Sequence, residues 1–121
     1  YLLLMIRFIP CNFNMILKKE SRIIGKIKGN LLDNSYYYLY GLRIAEDCRG
    51  KNYGLELISN YEKLVLNNCN IKGFKLKCPN FDKKYKLVDY YSKIGYEIDQ
   101  SSNMFYDDIS IIPMIKKHQK I

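Results

Sequence analysis

Long apolar runs, internal repeats, linkers rich in proline and glycine, and closely spaced cysteines are all missing from this 121-residue sequence. No stretch approaches the roughly 18 apolar residues that a membrane-spanning helix requires. The apolar opening, Tyr1 to Pro10, is interrupted by Arg7 and Pro10. No small-residue cleavage pattern follows it, so it reads as a buried strand rather than a signal peptide or anchor. The chain opens on Tyr1 rather than Met, which fits a chain trimmed upstream. With no linker and no repeat there is no domain boundary, and residues 1–121 read as one domain. Histidine occurs once, at His118, and Cys11, Cys48, Cys69 and Cys78 include no C-x-x-C pair. That argues against a metal centre or a redox motif. Thiols without a disulfide pattern suit a reducing, cytoplasmic compartment.

What is present is an ordinary globular balance, 48% hydrophobic and 26% charged, with a net charge of +8. The charge admits two readings. It can attract an acidic partner such as nucleic acid, an anionic membrane or a polyanionic cofactor. It can also reflect codon bias, since the chain is rich in Lys, Ile, Asn and Tyr and holds a single alanine, Ala45. The cations are scattered rather than blocked, which favours the second.

Periodicity supplies the elements. Phe13 to Lys18 and Ser21 to Lys28 flank Lys19-Glu20 as a hairpin. Gly25 inside the second run allows a bulge or a close approach. Tyr36 to Ile44 is a third strand, with Tyr36, Tyr38 and Tyr40 on one face and Tyr37 and Leu39 on the other. The period then becomes helical. Leu57, Tyr61, Leu64, Val65 and Asn68 share one face of a helix over 54–68. Phe74 to Cys78 alternates as a strand. Asp82 can cap a second helix with Leu87, Val88, Tyr91 and Ile94 on its apolar face, and Gly95 ends it. Tyr96 to Ile98, Asn103 to Tyr106 and Ile109 to Ile115 read as closing strands. The order predicts an α/β domain with a mixed sheet: antiparallel hairpins first, then a strand–helix–strand unit with parallel pairing.

One stretch carries chemistry. After the strand ending Leu42-Arg43-Ile44 comes Ala45-Glu46-Asp47-Cys48-Arg49-Gly50-Lys51-Asn52-Tyr53-Gly54. A strand, a polar glycine-containing turn and a helix start present several backbone N–H groups where the helix dipole favours an anion. Gly50, Asn52 and Gly54 let the backbone come close or turn left-handed. Arg49 and Lys51 add charged donors. The competing reading is an ordinary strand-to-helix turn. For Leu87 to Tyr96 the competing reading is a plain amphipathic helix.

Taken in order, the two stretches resemble the GNAT superfamily of acyl-CoA N-acyltransferases. Arg49 to Gly54 resembles its pyrophosphate signature, [Arg/Gln]-x-x-Gly-x-[Gly/Ala]. Tyr90-Tyr91-Ser92-Lys93-Ile94-Gly95-Tyr96 resembles its later Phe-Tyr-x-Lys-x-Gly-Phe segment, and the likeness spans residues 13 to 117. Asn52 stands where the family usually has a glycine, and Lys84 where many members have Asn.

The resemblance implies a GNAT-like, mostly antiparallel mixed sheet around a strand–helix–strand–helix unit. The N-terminal helices are shortened or absent, since little but Tyr1 to Asn12 precedes the hairpin. Either the chain is truncated or the acceptor pocket is unusually open. The implied activity is transfer of acetyl from acetyl-CoA, a co-substrate, to an amine by direct attack in a ternary complex, without a metal. Leu42, Arg43 and Ile44 would meet the pantetheine arm and thioester, and residues 49–54 the pyrophosphate. Tyr91 would protonate the departing thiolate, with Tyr90 as the fallback. Glu46 is the candidate base, with Asp47 and Tyr40 as others; Cys48, Cys78 and His118 have no evident partners. The acceptor is a small-molecule amine, a protein lysine or an N-terminus, and the family often dimerises through its C-terminal strands. Two alternatives stand beside this: a degenerate acyl-CoA binder without catalysis, and a small basic nucleic-acid-binding module. The second has no use for the phosphate loop, which argues against nucleic acid and, with the broken opening run, leaves no membrane partner.

Overall fold

The computed structural model describes residues 2–9, 12–32, 35–79, 86–99 and 111–118. Its strands are β1 (Leu2–Ile9), β2 (Asn12–Lys19), β3 (Arg22–Leu32), β4 (Tyr36–Ile44), β5 (Gly73–Pro79), β6 (Glu97–Ile98) and β7 (Ile111–Lys117). Helix α1 (Tyr53–Asn68) joins β4 to β5, and α2 (Lys86–Ser92) follows β5. The strands form one sheet in the order β1-β2-β3-β4-β5-β7-β6. Every neighbouring pair is antiparallel except β4 and β5. That pair is parallel because α1 carries the chain back across the sheet, the connection parallel strands need. Only two residues separate β1 from β2, too few for a helix between them.

Local chemistry explains the turns. Glu20 and Ser21 both adopt positive φ, 51° and 66°, which makes the tight two-residue turn of the β2–β3 hairpin. Gly25 does both things its position suggested. The register shifts beside it, with Leu17 opposite Gly25 but Lys18 opposite Ile23. A Cβ there would lie 2.8 Å from Ile44 Cδ1, so the Ile44 side chain occupies the space above Gly25 and would have to shift for any larger residue. At the end of α2, Tyr96 N–H donates to Tyr91 O and Gly95 N–H to Ser92 O. With Gly95 at φ 98° this is a Schellman ending.

The core lies on one face of the sheet. Phe13, Met15 and Leu17 of β2, Tyr37 and Leu39 of β4, and Phe74, Leu76 and Cys78 of β5 are buried beneath Leu57, Ile58, Tyr61 and Val65 of α1. Tyr37 donates to Gly29 O and lies 2.9 Å from the Tyr61 hydroxyl, which donates to Phe13 O. These bonds tie α1 to β2, β3 and β4. The tyrosine run alternates as expected, with Tyr37 fully buried and Tyr40 39% exposed.

Several details differ from the sequence reading. The buried face of α1 is turned toward Ile58 and Glu62, Leu64 is only half-buried, and Asn68 is exposed. α1 is packed on two sides, against the sheet and against the β6–β7 end, where Tyr96 and Lys116 meet Glu62. A single-stripe period cannot show that. Leu87 is exposed rather than part of the α2 core face, which rests on Val88. β3 runs on to Leu32, and β7 spans Ile111–Lys117. Asp82 and the strand expected over Asn103 to Tyr106 lie outside the described residues.

Candidate functional site

The site begins where β4 and β5 part. Their parallel ladder runs from Tyr36 opposite Gly73 to Leu39 opposite Leu76. At the same level β4 bulges away from β3: Lys28 is opposite Tyr40 and Lys26 opposite Arg43, so Gly41 and Leu42 together face Ile27. Gly41 takes φ 69°, where a side chain would be strained. The bulge and the lost ladder free the backbone groups of residues 40–44 from a full set of strand partners.

A cleft of ≈ 690 Å³ fills the gap and runs to the start of α1. Leu42, Arg43, Ile44, Arg49, Gly50, Asn52, Tyr53 and Gly54 line it, and Tyr90 and Tyr91 close it from α2. Lys51 is exposed and outside the lining, and so is Glu46.

The loop between β4 and α1 has the features an anion site needs. Glu46–Cys48 makes one 3-10 turn, with Cys48 N–H on Ala45 O. Gly50 follows at φ 81°, with open space where a Cβ would stand. Asn52 caps α1 in the left-handed region, φ 64° and ψ 14°. Asparagine tolerates that conformation, so replacing the family's usual glycine keeps the turn. The first helical bond is Glu56 N–H to Asn52 O. The N–H groups at the helix start precede any intrahelical acceptor and aim along the axis into the cleft. Arg49 Nε donates to Ile44 O at 3.1 Å, which holds this side chain beside the end of β4. These features fit a pyrophosphate: small or left-handed backbone, converging N–H groups and a cation.

Arg22 clamps the loop from outside through two contacts to Asp47, 2.6 and 2.7 Å. The guanidinium holds the Asp47 carboxyl down at about 2. A carboxylate so acidic is a weak base.

The two α2 tyrosines differ in their surroundings. Tyr90 lies over the start of α1, and a Cβ on Gly54 would come within 2.2 Å of its hydroxyl oxygen. A side chain at Gly54 would have to displace the Tyr90 hydroxyl. Tyr91 packs edge-on against Tyr90 and Tyr96, with ring centroids 5.3 and 6.1 Å away. Burial raises its phenol well above the ordinary value, and nearby Cys78 adds to the shift. Cys78 itself is pushed up to about 11 by burial, so it is a protonated core thiol. Behind the pair, the buried Glu62 accepts from Tyr96 at 2.8 Å and from Lys116 at 3.0 Å. Sequence reasoning missed Glu62. Its only signal is a carboxylate one turn beyond Ile58, which a purely apolar pattern discards. No group of metal-binding side chains occurs among the described residues.

A family model described as an acetyltransferase (GNAT) domain matches residues 7–118. No curated protein sequence matches the chain. Among solved structures, the chain is similar to an aminoglycoside 6'-N-acetyltransferase complexed with coenzyme A. There the identity is 18% and the TM-score 0.71, over 89% of this chain and 73% of that one. It is also similar to an IAA acetyltransferase from Bacillus cereus, 13% identical with a TM-score of 0.72 over 89% and 79%. A third is the PaiA N-acetyltransferase from Thermoplasma acidophilum in complex with coenzyme A, 20% identical with a TM-score of 0.69 over 87% and 60%. At these identities the structures share the fold. With the family match extending over nearly the whole chain, the protein belongs to the GNAT acetyltransferase family.

Proposed function

We propose that this protein transfers an acetyl group from acetyl-CoA to an amine by direct attack in a ternary complex. The observation that carries the reading is the continuity of the cleft, from the parted ends of β4 and β5 to the left-handed loop at the start of α1. The coenzyme A held by two of the structural relatives supports it.

In this reading the loop from Arg49 to Gly54 holds the pyrophosphate, with backbone N–H groups and the Arg49 charge as donors. Lys51 contributes long-range attraction from the exposed side. Leu42, Arg43 and Ile44 offer backbone groups to the pantetheine arm and polarise the thioester oxygen. Binding both reactants in one cleft supplies the main rate advantage. The amine nitrogen forms the new C–N bond as the C–S bond breaks. The hydroxyl of the half-buried Tyr91 gives its proton to the departing sulfur. The raised pKa keeps the phenol protonated throughout the physiological range, so its O–H is present to hydrogen-bond the sulfur as charge develops there, when the thiolate becomes basic enough to take the proton. Glu46 is exposed on the loop and can serve the amine only through water.

Calorimetric titration with acetyl-CoA, alongside CoA and a polyanion control, tests the reading. Saturable binding that collapses in Gly54→Glu and weakens in Arg49→Glu is expected. Equal binding of any polyanion, or none of acetyl-CoA, would overturn it.

A further inference from the structure

The cleft also opens on the sheet face opposite α1. There its rim is basic and aromatic. Arg43, Lys77 and Tyr40 line it, and Lys28 Nζ lies 5.1 Å from the Tyr40 ring centroid. Lys26 of β3 pairs directly opposite Arg43 of β4. No Asp or Glu lines the cleft among the described residues. Asp47 is engaged by Arg22, and Asp99 lies 3.8 Å from Lys75.

Two consequences follow for an amine that must arrive neutral. With no lining carboxylate among the described residues to take its proton, an amine of low intrinsic pKa has the advantage. At pH 7 roughly one α-amine in seven is neutral, against about one lysine side chain in 2,500. The cations of the rim depress an incoming ammonium further. The same cations repel a polycationic acceptor and attract one with carboxylates beside its amine. Room is a further observation: only two residues separate β1 from β2, too few for a covering helix between them.

Building on the acetyl-transfer reading above, we propose that the acceptor is the α-amine of a polypeptide with acidic first residues. Arg43 and Lys77 are the residues that select it. The nitrogen enters from the open face beside Tyr40, and the acidic side chains meet the two cations at the rim.

The test measures kcat/KM of the full chain with acetyl-CoA and four acceptors. These are a short peptide starting with two aspartates, the same peptide starting with two lysines, an N-blocked peptide with an internal lysine, and spermidine. Acetyl-CoA binding is measured separately by calorimetry. The acidic peptide is expected to lead by on the order of tenfold or more. Its lead should shrink in high salt, where exposed charges are screened. Lys77→Glu, an exposed position, should narrow or reverse it. Equal or faster use of the lysine peptides or spermidine would overturn the proposal. So would a lead that neither salt nor Lys77→Glu alters. Acetyl-CoA binding with no peptide acetylated would refute the acceptor assignment and leave the cofactor reading standing. Failure to bind acetyl-CoA would remove both.

Discussion

Replacing Tyr91 by Phe separates chemistry from architecture. The substitution removes one oxygen and leaves the ring that packs 5.3 Å from Tyr90 and 6.1 Å from Tyr96. The core contacts therefore survive, and a change in stability within about 1 kcal/mol is expected. The loop proposed to hold the pyrophosphate is untouched, so affinity for acetyl-CoA should stay within about threefold. Turnover is different. A positioned general acid is worth about 10²–10⁴-fold, or roughly 3–5 kcal/mol of transition-state stabilisation. kcat should fall by that factor with little change in acetyl-CoA binding, the pattern of an interaction made only in the transition state. The pH profile adds a second readout. An acid must be protonated to act, and burial raises the Tyr91 pKa above the phenol value. This group should therefore impose no loss of rate below about pH 10. Steady-state release of free thiol, with calorimetry and thermal melting, reads all three quantities. A Tyr91→Phe protein that folds, binds and turns over at the wild-type rate would refute the role.

Three further outcomes are expected. Asp47 has its carboxyl lowered from 3.8 to about 2 by Arg22, so the stabilisation is present above about pH 4 and lost as the pH falls toward 2. The pair is exposed and the effect small; the melting-temperature difference between wild type and Arg22→Ala should vanish across that window, and a constant difference would sink the assignment. Glu62→Ala leaves the Tyr96 hydroxyl and the Lys116 ammonium without their acceptor. Lys116 is a third exposed and can turn to water, so a loss of about 2–3 kcal/mol in urea unfolding is expected; no loss would mean the network contributes nothing net. In Gly73→Ala the new Cβ would meet Lys116 O at 2.3 Å, a backbone atom between paired strands. About 3 kcal/mol should be lost, the upper part of the usual overpacking cost, and a wild-type unfolding midpoint would contradict the close packing of β5 on β7.

The sequence by itself determined the elements whose signals are local. The β2–β3 hairpin, β4, α1 and the glycine end of α2 follow from alternation, helical period and turn chemistry, all properties of neighbouring residues. So does the turn from Arg49 to Gly54, because a left-handed strand-to-helix turn is written in consecutive small and αL-tolerant residues. Tertiary structure decided what depends on distant partners. It placed β7 between β5 and β6 and turned α1 so that Glu62 is buried, since Tyr96 and Lys116 lie far along the chain. It brought both Tyr90 and Tyr91 to the cleft wall and set the Tyr90 hydroxyl against Gly54, contacts the tandem tyrosines could not show alone. It left Glu46 on the exposed loop and committed Asp47 to Arg22. A carboxylate's availability depends on what folds beside it, and that information resides in long-range contacts rather than in spacing.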